Sequence, residues 1–101
     1  MIIYSVTVSV EADIREEWLS WMQEFHIPEV MASGYFKENH IQELLEPEPQ
    51  KGTFTFNIQY LCESMEDYHL YMQNEAKVLQ EIHTQKFSDK FVAFRTLLKR
   101  L

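Results

Sequence analysis

The order of its hydrophobic patterns is the feature that most limits how this chain can fold. Within 101 residues the patterns read strand, helix, strand, strand, helix, strand, with few residues left between them. In residues 2 to 10 the even positions are all apolar and the odd positions mostly small and polar, a period of two that predicts a half-buried strand. Residues 53 to 62 alternate in the same way and predict the third strand.

The other two strands are predicted from weaker patterns. The second is expected from Tyr35 to Leu45, where mixed polarity is typical of an edge strand. Residues 46 to 52 contain two prolines and a glycine, which predicts the turn of a hairpin joining it to the third strand. The fourth strand is expected from Lys90 to Leu98.

Apolar residues at helical spacing predict a first helix after the first strand. Asp13 lies three residues before Glu16, a spacing typical of a capping box at a helix start. The predicted buried stripe consists of Ile14, Trp18, Met22 and Phe25, widened by Trp21. Pro28 is expected to end or offset this helix, with a further short turn reaching Gly34.

A second helix is predicted between the third and fourth strands. Ser64 is its expected N-cap, with Asp67 three residues on, and it is expected to run to about Phe87. Its predicted buried stripe consists of Met65, Tyr68, Met72, Leu79 and Ile82, widened by Tyr71, Ala76 and Val78.

The βαββαβ order predicts an α+β, ferredoxin-like fold. Its four-stranded antiparallel sheet carries both helices on one face. Right-handed crossovers give the strand order 4-1-3-2. The length predicts a single domain over residues 1–101.

The face of the sheet turned away from the helices is predicted to form a homodimer. On the first and third strands this open face is expected to carry Ser5, Thr7, Thr55, Asn57, Gln59 and Leu61. Burying Arg95 under the helices requires a partner that the sequence does not reveal, so the fourth strand is expected to turn Phe91, Ala93, Arg95 and Leu97 to the open side. Such a surface exceeds what a monomer usually exposes, and two copies packed face to face close a barrel. The alternative is that the face binds a separate partner.

Charge and cysteine content limit the partners and the compartment. With 16 acidic and 9 basic residues the net charge is −7, which disfavours nucleic acid and anionic membranes as partners. No run of 18 apolar residues occurs, and the alternating N-terminus is unlike a signal peptide. The single cysteine, Cys62, cannot form an internal disulfide, so a cytoplasmic location is expected. Since Cys62 falls on the apolar side of the third strand, it is interpreted as a buried hydrophobe.

Several segments resemble a known family. They are WLSWMQEFHIPEVMASGYF at residues 18 to 36, QY at 59 to 60, ESMEDY at 63 to 68 and FVAFRTLL at 91 to 98. Together they resemble the DUF4286 family of small bacterial proteins. More distantly, the chain resembles the dimeric α/β-barrel superfamily, which includes antibiotic-biosynthesis-type monooxygenases, haem-degrading enzymes, muconolactone-isomerase-like proteins and ligand-binding regulatory modules. Because one fold hosts many activities, the resemblance implies the fold and no particular activity.

The candidate ligand-binding residues are polar or aromatic side chains expected near the barrel. They are Arg95, Asn57, Gln59, His26, Trp21 and His40. Arg95 beside Asn57 and Gln59 suits the carboxylate of a small ligand, with an inter-subunit salt bridge as the alternative. His26 has the pKa range of a general acid or base, if it rims the barrel. The sequence leaves open which face His40 occupies.

Metal and cofactor sites are not expected. His26 and Glu29 are three residues apart, but Pro28 lies between them and no third ligand converges. Glu66 and His69 match the Glu-x-x-His spacing of carboxylate-bridged metal sites, yet that motif occurs once and such sites need it twice.

Three functional hypotheses follow. The first is a structural, regulatory or small-ligand-binding module. The second is a cofactor-free enzyme, monooxygenase-like or isomerase-like, acting on a small aromatic substrate. The third and weakest is haem binding or degradation, with His69 or His83 as the axial ligand, because an acidic chain suits haem propionates poorly.

Overall fold

A four-stranded antiparallel sheet covered on one face by two helices makes up the computed structural model, which describes residues 1–101. The strands are β1 (Ile2–Glu11), β2 (Glu38–Glu43), β3 (Thr53–Cys62) and β4 (Phe91–Lys99). Their order is β2-β3-β1-β4, with all neighbours antiparallel. This confirms the predicted βαββαβ ferredoxin-like topology, with β1 and β3 at the centre of the sheet.

Each of the two helices contains one π-helical turn. The first, α1, comprises the α-helical segment Arg15–Trp21, the π-helical turn Met22–His26 and the α-helical segment Ile27–Ala32, and it follows a short 3-10 turn at Ala12–Ile14. The second, α2, comprises Met65–Tyr71, the π-helical turn Met72–Ala76 and Lys77–Lys86. A π-helical turn inserts one extra residue and changes which side chains point inward after it.

Helix α1 passes through Pro28 without ending there. His26 and Ile27 both keep right-handed helical backbone angles, and the amide of Ile27 donates to the carbonyl of Met22 five residues earlier. Proline lacks an amide hydrogen and crowds the carbonyl four residues before it, so the wider turn directly before Pro28 accommodates the ring. The sequence prediction of an offset at Pro28 is therefore confirmed, whereas the expected break is wrong. The second π-helical turn has no proline beside it, and the local sequence does not explain it.

The two wide turns make parts of the predicted buried stripes wrong. A uniform α-helical period places Phe25 and Ile82 in the core, but their exposures are 57% and 47%. Val78, after the turn in α2, is exposed as well, and Met65 is exposed at the start of α2, before that turn. After the π-helical turns the buried positions of α1 are Ile27 and Val30, and those of α2 are Leu79 and His83; Ala76, the last residue of the turn in α2, is also buried.

The two predicted N-caps have different outcomes. The Ser64 side chain accepts a hydrogen bond from the amide of Asp67 at 3.2 Å, which confirms it as the N-cap of α2. The predicted capping box at Asp13 is wrong. There the chain makes a 3-10 turn, and the Asp13 carboxylate accepts a hydrogen bond from Lys90 Nζ at 2.9 Å instead.

Strand β2 is shorter than predicted, covering Glu38–Glu43 rather than the range from Tyr35 to Leu45. The residues before it turn inward instead of pairing: Phe36 is 5% exposed, and its ring packs against Tyr4 and Tyr71. Burying this ring between the sheet and α2 stabilises the fold by about 1.5–3 kcal/mol.

The register of the sheet reverses the predicted orientation of β4. Val10 pairs with Phe91, Val6 with Arg95 and Tyr4 with Leu97. Paired residues of neighbouring strands share a face, so these residues of β4 lie on the helix side with the apolar residues of β1. The expectation that Phe91, Ala93, Arg95 and Leu97 lie on the open face is wrong. The open face receives Val92, Phe94, Thr96 and Leu98 instead.

The orientation of Arg95 is tolerated because it lies on an edge strand. Its side chain remains exposed at the margin of the helical layer, so no charge is buried. Its Nε atom also donates a hydrogen bond to the Tyr4 hydroxyl at 3.1 Å. This hydroxyl is the partner that the sequence did not reveal.

Candidate functional site

The centre of the open face is a strip of polar side chains that hydrogen-bond to one another. Asn57 on β3 donates through Nδ2 to Ser5 Oγ at 2.9 Å and to Thr7 Oγ1 at 3.1 Å, both on β1. Gln42 on β2 donates through Nε2 to Asn57 Oδ1 at 2.8 Å. We call these four residues the polar strip. Within it the amide of Asn57 uses both its donor hydrogens and its acceptor oxygen.

A second polar pair lies beside the strip. The hydroxyl groups of Ser9 and Thr55 are 2.7 Å apart, close enough for a short hydrogen bond. Thr55 is 6% exposed. The hydroxyl groups on this part of the open face are therefore also paired within the chain.

The β4 side of the open face is apolar and exposed. Val92 is 71% exposed, Phe94 61% and Leu98 46%. We call these three residues the apolar edge. It lies on the same face as the polar strip, because Thr7 pairs with Phe94 and Ser9 with Val92.

His40 and Gln59 also lie on the open face. His40 pairs with Gln59 in the register of β2 and β3, and Gln59 pairs with Ser5. The face of His40, which the sequence left open, is therefore the open one. Its Nε2 atom lies 3.1 Å from the Glu38 carboxylate, and both side chains are about half exposed.

Arg95 does not join Asn57 and Gln59, because the sheet separates them. The structure therefore contradicts the predicted group of Arg95, Asn57 and Gln59 on one face, and with it a salt bridge from Arg95 across that face. Burial raises the pKa of the Tyr4 hydroxyl, and the positive charge of Arg95 acts in the opposite direction.

The helix side contains a group of aromatic rings around two histidines. Trp18 is fully buried, and its Nε1 atom donates to His83 Nε2 at 2.9 Å. The ring centroids of His26 and His83 are 5.7 Å apart, and those of Trp21 and His26 are 5.1 Å apart. Helices α1 and α2 therefore meet through Trp18, Trp21, His26 and His83, which we call the histidine cluster.

Both histidines of the cluster are held neutral by their surroundings. Burial lowers the pKa of His26 to about 4, and the positive charge of Arg95 adds to this effect. Burial, then His26, then Arg95 lower the pKa of His83 to about 4. Since His83 Nε2 accepts a hydrogen bond from Trp18, the proton of the neutral ring is on Nδ1. His83, one of the two nominated haem ligands, thus has its Nε2 lone pair already engaged.

The remaining candidate residues, His69 and Cys62, do not join either of these groups. His69, the other nominated haem ligand, is exposed on α2. Cys62 is buried, as predicted, and burial raises the pKa of its thiol. No group of three or more His, Cys, Asp or Glu side chains lies close enough together to hold a metal ion. Neither helix is long and apolar enough to cross a membrane.

The surface of the chain has five depressions, with volumes between about 190 and 400 Å³. All five are open to solvent. One of about 280 Å³ lies between α1 and α2 and is lined by Trp21, Phe25, His26, Glu29, Leu79 and Ile82. Trp21 and His26, two residues that the sequence nominated separately, thus meet at one groove.

Sequence reasoning missed the histidine cluster as a unit. His26 and His83 are 57 positions apart, and no local spacing relates them. The available signal was weak: on a uniform helical period His83 follows Leu79 by four residues and continues the buried stripe of α2.

Comparisons with solved structures define the class of fold. A protein from Bacillus halodurans described as an ethyl tert-butyl ether d (ethd) family protein is 7% identical, with a TM-score of 0.68 and full coverage of both chains. A dimeric ferredoxin-like protein from an uncultured marine organism is 13% identical, with a TM-score of 0.66 over 100% of this chain and 95% of the other. A protein described as an antibiotic biosynthesis monooxygenase is 10% identical, with a TM-score of 0.62 over 100% of this chain and 99% of the other. At these identities the similarity shows the fold alone, the ferredoxin-like α+β fold.

The family follows from the sequence itself. This chain belongs to the family described as Domain of unknown function (DUF4286), whose model matches residues 1–101. The resemblance stated from the sequence segments is thereby confirmed. Among curated proteins, none matches this chain.

Proposed function

We propose that this protein is a homodimeric binding module, in which the open faces of two sheets pack together and close a barrel. The observation that carries the proposal is the polar strip. Ordinary surface amides point at water, and burying them leaves donors and acceptors unsatisfied. The Asn57 amide already has partners for both donor hydrogens and for its oxygen. The polar strip can therefore be buried at little cost.

The apolar edge supplies the driving force for association. Val92, Phe94 and Leu98 expose apolar side chains along the open-face side of β4, with Thr96 between Phe94 and Leu98. Removing them from water stabilises a complex by about 25 cal/mol per Å² of apolar area. A two-fold axis needs a single self-complementary patch, which a strip with an apolar edge provides. Some solved structures with this fold are described as dimeric ferredoxin-like proteins, which agrees with the proposal.

The surface of this chain is better suited to binding than to catalysis on an enclosed substrate. An active site usually offers a ligand a cavity of about 300 Å³ or more that surrounds most of its surface. The depressions on the surface of the chain are open grooves. The polar side chains at the centre of the open face form hydrogen bonds with each other, so they do not offer free donors and acceptors to a substrate. The proposed compartment is the cytoplasm, because the one cysteine of the chain is buried and unpaired.

Phe94→Glu is expected to convert the dimer to a monomer. A carboxylate buried in a packed interface costs several kcal/mol when it has no partner, so the dissociation constant should rise at least about 100-fold. Light scattering coupled to size exclusion should give the wild-type protein twice the 12.2 kDa mass of one chain, and the variant the mass of one chain. Far-ultraviolet circular dichroism checks that the variant remains folded. Val92→Lys, at a more exposed position, is the second variant.

Phe25→Glu is the matched control, because Phe25 is exposed to a similar degree but lies on α1. It should leave the dimer intact. A wild-type protein that is monomeric at high micromolar concentration would contradict the proposal. So would a Phe25→Glu variant that dissociates while Phe94→Glu does not, since the interface would then involve the helices.

A further inference from the structure

We propose that the groove between α1 and α2 binds a small aromatic compound carrying an ammonium group. The groove lies on the helix side, opposite the open face, so the inference does not depend on the proposed dimer. It is supported by the shape and composition of the walls, by an unpartnered histidine, by the charge at the rim and by the helix geometry around it.

The walls of the groove are apolar and come from both helices. Trp21 and Phe25 form the α1 side, and Leu79 and Ile82 form the α2 side. Phe25 is 57% exposed and Ile82 47%, so two large side chains face water there. The volume of about 280 Å³ is roughly twice that of an apolar cavity known to hold benzene. The groove therefore has room for one aromatic ring and a short side chain.

His26 provides a hydrogen-bonding group on the groove wall that nothing in the chain uses. Its ring lies against Trp21, with 5.1 Å between the ring centroids and 30° between the ring planes, and neither of its nitrogen atoms makes a hydrogen bond within the chain. Its partner in the cluster, His83, differs in that Trp18 donates to it. Because burial keeps His26 neutral, one ring nitrogen remains a lone-pair acceptor suited to an N–H donor of the ligand.

The charge at the rim of the groove favours a cation, although the positive charge of Arg95 also acts on His26. Glu29 is the one charged residue that lines the groove, and it has no ion-pair partner in the chain. Helix α1 carries four glutamates and one arginine, and the whole chain has a net charge of −7. An ammonium group is attracted to such a rim and is further stabilised over the faces of Trp21 and Phe25, whereas a carboxylate is repelled.

The helix geometry itself forms this site. Phe25 and His26 both belong to the π-helical turn Met22–His26, and in a continuous α-helix of this sequence Phe25 would follow Met22 into the core. The extra residue instead places Phe25 at the mouth of the groove and His26 on its wall. Single π-helical turns inside α-helices frequently occur at functional sites.

The test uses the purified full-length chain and three probes of nearly equal size: 2-phenylethylammonium, 2-phenylethanol and 3-phenylpropionate. Binding is followed by amide chemical shifts in ¹H–¹⁵N NMR spectra and by Trp fluorescence. We expect saturable shifts at residues of the groove with the ammonium probe, an affinity at least tenfold lower for the alcohol, and no saturable shifts with the carboxylate. The Glu29→Gln variant should lose most of this preference for the cation.

Glu24→Gln is the matched control, since it removes the same charge from the same helix at a residue that does not line the groove. It should bind the ammonium probe as the wild type does. Phe25→Ala, at an exposed position that leaves the core intact, should weaken all binding. Equal affinities for the three probes, equal losses in the two glutamine variants, or shifts spread over the acidic surface without saturation would each overturn the proposal.

Discussion

Replacing Trp18 with alanine is expected to lower the free energy of unfolding by about 4 kcal/mol. Trp18 is fully buried, and its ring lies 5.0 Å from that of Phe56, between α1 and the sheet. Its removal leaves a cavity the size of an indole, and His83 Nε2 loses its only donor while remaining buried. Since domains of this size are stable by about 5–15 kcal/mol, this variant is near the limit of folding.

The measurement is urea unfolding followed by circular dichroism. Trp18→Phe keeps most of the apolar volume and removes the N–H, so it should lose about 2 kcal/mol and remain measurable. Combined with His83→Leu in a double-mutant cycle, it should show a coupling of about 1 kcal/mol. Trp21→Phe is the control, because Trp21 is only partly buried and makes no hydrogen bond. A Trp18→Phe variant as stable as Trp21→Phe would show that the buried hydrogen bond contributes nothing.

Acidification from pH 7 to pH 5 is expected to destabilise the folded protein by about 2 kcal/mol for each histidine of the cluster. The pKa values of His26 and His83 are about 4 in the folded state, against 6.5 for an unperturbed histidine. Between these values the unfolded chain binds more protons than the folded one, so lowering the pH favours unfolding. Above about pH 7 both states are unprotonated at these sites, and the histidines then contribute no pH dependence.

The charges near the histidine cluster do not stabilise the protonated forms of its two histidines. Arg95 lies near enough to lower both pKa values further, and protonating one histidine repels the other. A proton on His83 Nε2 also replaces the lone pair that accepts from Trp18. Glu29 lines the groove beside His26, but the groups that shift the pKa of His26 are its burial and the charge of Arg95 alone.

The measurement is the slope of the unfolding free energy against pH between 6.5 and 4, from urea titrations. The slope reports how many more protons the unfolded chain binds than the folded one, and His26→Gln should reduce that number by up to one. His69→Gln, which changes an exposed histidine on α2, should leave it unchanged. If His26→Gln and His69→Gln change the slope equally, the histidine cluster is not the source of the acid sensitivity.

The sheet was predictable because its signal is local and periodic. In β1 and β3 each apolar residue is two positions from the next, which identifies both strands and the side that meets the helices. The orientation of β4 was not predictable in the same way. Its two faces carry Phe91 and Leu97 on one side and Phe94 and Leu98 on the other, so hydrophobicity alone does not choose between them. The position of Arg95 was then assigned from the cost of burial, an argument that fails at the exposed margin of an edge strand.

The helix faces were predictable only up to the first π-helical turn. Before it, Trp18 and Met22 are buried as their spacing predicts. After it, Phe25 is exposed and Ile27 is buried, because one inserted residue rotates everything that follows. Pro28 signals such an offset in α1, but α2 has no equivalent residue. The groove and the histidine cluster therefore could not be assembled from helical periods.

The sequence by itself determined the number, order and pairing of the strands, the acidic surface and the family, since these follow from short-range alternation, composition and matching segments. Only the tertiary structure decided that Arg95 lies opposite the polar strip, that Trp18 donates to His83, and that Trp21 and His26 share a groove. Each of these depends on the register between strands or on contacts between helices more than 50 residues apart in the chain. Such long-range placements result from the packing of the whole core, to which each local pattern contributes only a part.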